Sequence, residues 1–216
     1  MVQQARAVET RAAILRGAAT EFQEHGYAGT SLSEIAIAAG VTKGSVYFHF
    51  DSKESLALAI IDAQHQASIS IGNAMSVSGT SGLEALLIMS VELARQFRED
   101  PLVSAGIRLT TEAPNFSVPV IVPYTDWIGV CERCLRQAIA EGDVADTTDV
   151  EAVAHFIIPA FTGVQMVSNI LTNRTDLLRR VEEMWNVILP VLVPADRWHS
   201  LKDLPSEIAR APSRLR

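Results

Sequence analysis

The stretch Thr30-Ser-Leu-Ser-Glu-Ile-Ala-Ile-Ala-Ala-Gly-Val-Thr-Lys-Gly-Ser-Val-Tyr-Phe-His-Phe50 divides at Gly40-Val41 into two short segments of helical period. In the first, Leu32, Ile35, Ala36 and Ala39 fall on one apolar stripe, and Ser31 followed three residues on by Glu34 has the spacing of a capping box. Gly40 stands where a helix ends on a left-handed residue, a conformation that suits a residue without Cβ. Thr42 then caps the second segment, in which Val46 and Phe50 are four apart and face inward. Two short helices meeting across a glycine turn is the geometry that lays a second helix in a major groove of DNA.

If Val46 and Phe50 face the core, Lys43 and Tyr47 turn outward with Gly44 and Ser45 beside them. These groups suit DNA. Lys43 can neutralise a phosphate or reach a guanine edge, Thr42 and Tyr47 can donate hydroxyl hydrogen bonds, and Gly44 leaves room for close approach. His49 and Lys53 follow near the next helix start, after an expected Asp51 cap, and Ser31 and Ser33 lie at the preceding helix start, where free N–H groups attract phosphate. Residues 42–50 contain no Arg, Asn or Gln, so direct base reading is sparse and DNA shape carries much of any specificity. Spacing alone leaves a second reading open, a helical hairpin inside a larger bundle with Lys43 and Tyr47 on a solvated face.

Outward from this segment, the chain of 216 residues is 48% apolar and 20% charged, enough to bury a core in one or two domains. Its net charge of −7 argues against bulk electrostatic attraction to nucleic acid. Residues 1–55 hold five Lys/Arg against six Asp/Glu, whereas residues 56–216 hold thirteen against nineteen, so the acidic excess lies outside the hairpin. Turn clusters cut the chain at Gly26, Ser76–Gly82, Asp100-Pro101, Ala113–Pro123, Glu141–Thr148, Leu171–Asp176 and Pro194. The intervals between them have helical period and none alternates like a strand, which predicts an all-α chain of about nine helices. Capping spacings also appear at Asp51 with Glu54, Ser81 with Glu84 and Thr148 with Glu151. The start lacks an export signal, and the apolar run Val153–Leu171 is interrupted by His155, Pro159, Gln165, Ser168 and Asn169, so it reads as a buried helix rather than a membrane span. A cytoplasmic chain with no membrane partner is expected.

The run from Thr30 to Leu56, with Arg11 to Tyr27 before it, closely resembles the DNA-binding signature of TetR-family repressors. The resemblance implies DNA contacts at Thr42, Lys43, Gly44, Tyr47, His49 and Lys53, chiefly to phosphates. It also implies a helix-turn-helix domain over residues 1–52 and a helical effector and dimerisation domain over 53–194; residues 195–216, after Pro194, have weak periodicity and are expected to fray. Helices at about 149–171 and 176–193 carry apolar faces (Val153, Ile157, Phe161 and Val164; Leu178, Val181, Trp185, Ile188 and Leu192) broad enough to pair with their copies in a homodimer, or to pack within one chain.

Within the family, Ser45 to Phe50, Gln64 and Tyr124-Thr-Asp-Trp127 look most like receptors for γ-butyrolactone signalling molecules. That likeness implies a repressor in the control of antibiotic production, released from its operator by a γ-butyrolactone, butenolide or furan, with Trp127 lining the pocket. An indole offers a flat apolar wall and one N–H donor, which suits such a ligand. Gln64 and Thr162, the latter beside Phe161, are polar groups on inward stripes that either meet ligand oxygens or are satisfied inside the core. The helix carrying Gln64 begins at the DNA module and is the candidate lever. Cys131 and Cys134 have half-site spacing, yet lie on the apolar stripe of Trp127, Val130 and Leu135, so they read as core. No catalytic constellation, metal set or cofactor loop is expected. The competing classes are a helical enzyme, a redox-sensing regulator and a TetR repressor that senses a drug or unrelated metabolite.

Overall fold

The computed structural model describes residues 2–77, 79–112 and 116–213, and its regular structure is helical throughout. The helices are α1 (Val2–Gly29), α2 (Leu32–Ala38), α3 (Lys43–His49), α4 (Lys53–Val77), α5 (Gly82–Glu99), α6 (Pro101–Thr111), α7 (Val122–Ala140), α8 (Val150–Thr172), α9 (Leu177–Leu192), α10 (Trp198–Leu201) and α11 (Leu204–Arg210). The all-α expectation of about nine helices corresponds to α1 to α9. Contacts within the chain divide it into two units, Met1–Ala67 with Glu99–Val120 and Ser68–Arg98 with Ile121–Arg216. The division expected at 52/53 therefore differs from the packing, which places α6 with the first unit.

In the first unit Ile14, Ala18 and Phe22 step along α1 and are fully buried, with Ile35 of α2, Val46 of α3, Leu56 of α4 and Leu109 of α6 in the same core. A Cβ on Gly17 would come within 2.7 Å of the Ala39 backbone nitrogen, so α1 meets the end of α2 at a distance only glycine allows. At Gly26 (φ 72°) the regular part of α1 ends. The Tyr27 N–H donates to Glu112 Oε2 at 2.8 Å, and Arg108 Nε holds the other oxygen at 2.9 Å, which fastens the C-terminal end of α6 to α1.

Helix starts follow the side-chain oxygens. The Ser31–Glu34 box is complete, and Ser81 accepts from the Glu84 N–H at 3.3 Å. Two expected caps lie one residue later. Ser52, not Asp51, closes α4 by exchanging bonds with Ser55, while Glu54 instead accepts from the Ser117 N–H and hydroxyl at 2.8 and 2.6 Å. Asp149, not Thr148, accepts from the Ala152 N–H at 3.1 Å. In both places two adjacent residues have capping side chains, and the apolar stripe fixes which of them falls at the right phase.

In the second unit α5 supplies Leu83, Leu87 and Val91 to the core, α7 supplies Cys131, Leu135 and Ala138, and α9 supplies Val181, Trp185, Ile188 and Leu192. The reading of α8 as a buried helix is corrected. Its apolar window is long enough to cross a membrane, yet only 17% of it is buried within this chain. Ala154, Ile157, Gln165 and Ser168 face inward, whereas Phe156, Val167, Ile170 and Leu171 are exposed. The inward side is polar where it needs to be: Arg174 Nη2 donates to Gln165 Oε1 at 3.1 Å, and Ser168 Oγ to Asp176 Oδ1 at 2.6 Å.

The tail after Pro194, expected to fray, is also corrected through Ser213; Arg214 and Arg216 lie outside the described residues. Pro205 and Ile208 are buried, Arg95 Nη2 donates to the Ala209 and Ala211 carbonyls at 3.1 and 2.6 Å, and Ser213 Oγ donates to Glu92 Oε2 at 2.7 Å. Weak periodicity missed a segment held by polar bonds to distant residues.

Candidate functional site

The outer face of α3 is built from its inner one. Val46 and Phe50 are buried, so Lys43, Gly44 and Tyr47 stand exposed on the opposite side. Thr42 Oγ1 accepts from the Ser45 N–H at 3.1 Å and lies 2.9 Å from the Ser45 hydroxyl, which pins the start of the helix. Beyond that cap oxygen, 3.8 Å from where a Cβ would be, nothing crowds Gly44. His49 is half-buried.

Phe48, given no DNA contact by the sequence reading, is the most exposed large apolar side chain of α3, at 81%. Its signal was present: it falls outside the Val46–Phe50 spacing.

The flanking candidates fare differently. Ser33 is exposed, but the Ser31 N–H is already spent on Glu34 Oε2 at 2.8 Å. The Ser31 bonds hold the Glu34 carboxyl below its ordinary range, so the α2 N-terminus carries its own anion. Lys53 is engaged within the chain: its Nζ donates to the Tyr27 and Thr30 carbonyls at 2.7 and 3.0 Å and sits 4.4 Å from the Tyr27 ring centre. The ammonium closes the end of α1, a scaffold role that the expectation of a phosphate contact did not include.

The four candidate effector residues are distributed over both units, Gln64 in the first and Trp127, Phe161 and Thr162 in the second. Trp127 and Thr162 meet around Tyr124, whose ring lies 5.1 Å from the indole in a T-shaped arrangement and whose hydroxyl feels the Thr162 side chain. Burial pushes the Tyr124 phenol up, and the Thr162 side chain partly offsets this. Thr162 also donates to the Ile158 carbonyl at 3.0 Å. Phe161 instead packs on Phe97, with ring centres 6.1 Å apart. Gln64 belongs to the first unit, fully buried where α4 passes so close to Gly106 of α6 that a Cβ there would lie 3.0 Å from the Ile60 carbonyl. Further along α7, a cavity of about 260 Å³ is bounded by Gly72, Met89, Val130, Arg133 and Cys134.

Burial pushes the Cys131 thiol up to about 12 and raises Cys134 as well, so both are ordinary packed thiols at neutral pH. Among the described residues no three His, Cys, Asp or Glu side chains gather as a metal site. Exposed Phe156, Val167, Leu171 and Val187 of α8 and α9 bound a groove of about 610 Å³ whose lining also includes buried Met184 and the charged Arg180 and Glu183, and Val191 of α9 is 81% exposed.

Comparison with known proteins places these features. Residues 14–60 match the family described as bacterial regulatory proteins, tetR family, and residues 80–194 match the tetracyclin repressor-like C-terminal domain. The A-factor receptor protein of Streptomyces griseus is 37% identical over 190 residues, 88% of this chain and 66% of that receptor, so the match spans just under two thirds of that relative. A crystal structure of a gamma-butyrolactone receptor, described as ArpA-like, has 35% identity and a TM-score of 0.83 over 95% of this chain and 98% of its own. CprB of Streptomyces coelicolor, solved with its biological operator sequence, has 34% identity and a TM-score of 0.85 over 96% of this chain and all of its own. With both parts of the chain matched, this protein belongs to the tetR family of bacterial regulatory proteins.

Proposed function

We propose that the chain is a homodimeric transcriptional repressor, acting in the cytoplasm, that holds an operator through α3 and lets go when a small molecule of γ-butyrolactone, butenolide or furan type binds. The observation that carries this reading is the outer face of α3, where Lys43, Gly44, Tyr47 and Phe48 project from a helix anchored by buried Val46 and capped by Thr42. Thr42, Ser45, His49, Ser33 and Ser31 border that face. In function, residues 1–52 read DNA and 53–194 bind effector and partner. Relatives named for A-factor and for γ-butyrolactone support the ligand class.

Dimerisation is supported by the α8–α9 face. Val187, Val191, Ile170 and Leu171 are each more than 60% exposed in the single chain. Fully burying one such side chain contributes about 1.5–3 kcal/mol, so a second copy of the face is a strong partner for it. Two copies of α3 then sit in successive major grooves about 34 Å apart.

Release requires the ligand to favour a conformation in which that spacing is lost. Glu112 and Arg108 fasten α6 to α1, and Gly106 lies against α4, so α6 joins α4 as a lever on the DNA-reading helices. Trp127, with Thr162 and Phe161 from the same unit and Gln64 on α4, are the residues assigned to the effector.

The test is calorimetric titration of the dimer with an acyl-substituted γ-butyrolactone. Wild type is expected to bind saturably and Trp127→Ala at least tenfold more weakly. Absence of binding to wild type overturns the ligand class, and equal binding by the two proteins overturns the role of Trp127.

A further inference from the structure

Phe48 is 81% exposed, so folding gives it nothing to do. Its ring contacts the His49 ring in a T-shaped arrangement, centres 5.1 Å apart, and projects from the side of α3 that carries Gly44 one turn earlier. Gly44 has no Cβ and open space around it, so the helix surface is recessed beside the phenylalanine. The same face offers Lys43 and Tyr47 for polar contacts, and residues 42–50 hold no Arg, Asn or Gln to grip a base edge with two hydrogen bonds. What this face has in place of a bidentate reader is an apolar ring standing beyond a notch. In the major groove the apolar feature that distinguishes one base from the rest is the C5-methyl of thymine.

We propose that Phe48 is a specificity-determining residue that reads sequence by seating its ring against a thymine methyl in each operator half-site. This rests on α3 being the DNA-reading helix. It adds to that reading a base identity at one position and a chemical basis, apolar contact rather than hydrogen bonding or shape.

The contact should vanish when the methyl is removed and the base pairing is kept. Duplexes are first selected from a random pool by the wild-type dimer; no enrichment would refute DNA binding itself, and this proposal with it. Each thymine of the selected site is then replaced by deoxyuridine, symmetrically in both half-sites. One methyl withdrawn from water per half-site corresponds to about a fourfold effect, or about fifteenfold over the symmetric pair. Wild type is expected to weaken by that factor at one thymine position and little elsewhere. Phe48→Ala is expected to fold as stably as wild type, to bind the unmodified site more weakly, and to be indifferent to deoxyuridine at that position. Phe48→Gln, similar in reach but polar, serves as a second variant and is expected to show the same indifference. Wild-type binding unaffected by every deoxyuridine, or variants that keep the wild-type sensitivity, would overturn the proposal.

Discussion

Replacing Lys53 by methionine separates a scaffold role from a DNA contact, because the two make opposite demands on two measurements. Methionine keeps an apolar stem and removes the ammonium, and with it the bonds to the Tyr27 and Thr30 carbonyls at 2.7 and 3.0 Å and the contact with the Tyr27 ring. A hydrogen bond from a charged donor contributes about 1.5 kcal/mol at the low end of its range, and a partly exposed cation–π contact about 0.5 kcal/mol. Lys53 is only half-buried, so water recovers part of this. A net loss of about 2 kcal/mol follows. For a chain of this size that lowers Tm by about 4–8 °C at fixed protomer concentration. Each phosphate contact adds about 0.9 to the slope of log K against log salt, so losing one per protomer would flatten the slope by about 1.8. The structure predicts the lower Tm and an unchanged slope. An unchanged Tm with a slope flattened by that amount would refute the placement of Lys53.

Val187, 73% exposed in the α8–α9 groove, is placed to be covered by the partner, so Val187→Glu should convert dimer to monomer in sedimentation velocity; a variant that stays dimeric contradicts the face assigned to association. With Cys134 replaced by serine, Cys131, held up to about 12, should react with iodoacetamide at pH 8 about a thousandfold more slowly in the native protein than in urea, and comparable rates would show the thiol to be accessible and activated. Hydroxyl bonds from Ser168 and Thr172, with Arg180, hold the Asp176 carboxyl well below the usual carboxylate range. A depressed folded-state pKa stabilises the fold above the unfolded value of about 3.9 and is lost as pH falls through the folded one. Asp176→Asn should therefore melt below wild type at pH 7, with the gap narrowing steadily as pH falls below about 4; a gap as large at pH 2 as at pH 7 would show that geometry, not charge, carries the effect.

Short-range chemistry was legible in the sequence. The Ser31–Glu34 box, the left-handed Gly40 (φ 66°) and the Thr42 cap are decided by residues within four positions of one another, and the hairpin follows from them. What escaped depends on distant residues. Nothing local to Glu112 or Lys53 says that one will meet the Tyr27 N–H and the other the Tyr27 carbonyl, and nothing around Ala211 announces Arg95. For α8 the sequence offered Val153, Ile157, Phe161 and Val164 as the face for a partner or for its own chain, whereas the exposed apolar side chains include Phe156, Val167, Ile170 and Leu171, since an apolar stripe has the same composition whether it meets its own chain or a second copy. Trp127 and Thr162 are singled out separately by the sequence, whereas both lie beside Tyr124, a neighbour that a periodicity argument does not supply.

The measurement closest to the central claim is a gel shift of the wild-type dimer on its selected duplex, titrated with an acyl-substituted γ-butyrolactone at constant salt. Complete release is expected over a saturable range of ligand, with Trp127→Ala remaining bound across it. A complex that forms normally and persists at saturating lactone would contradict the effector assignment, and failure to form any sequence-specific complex would contradict the account at its root.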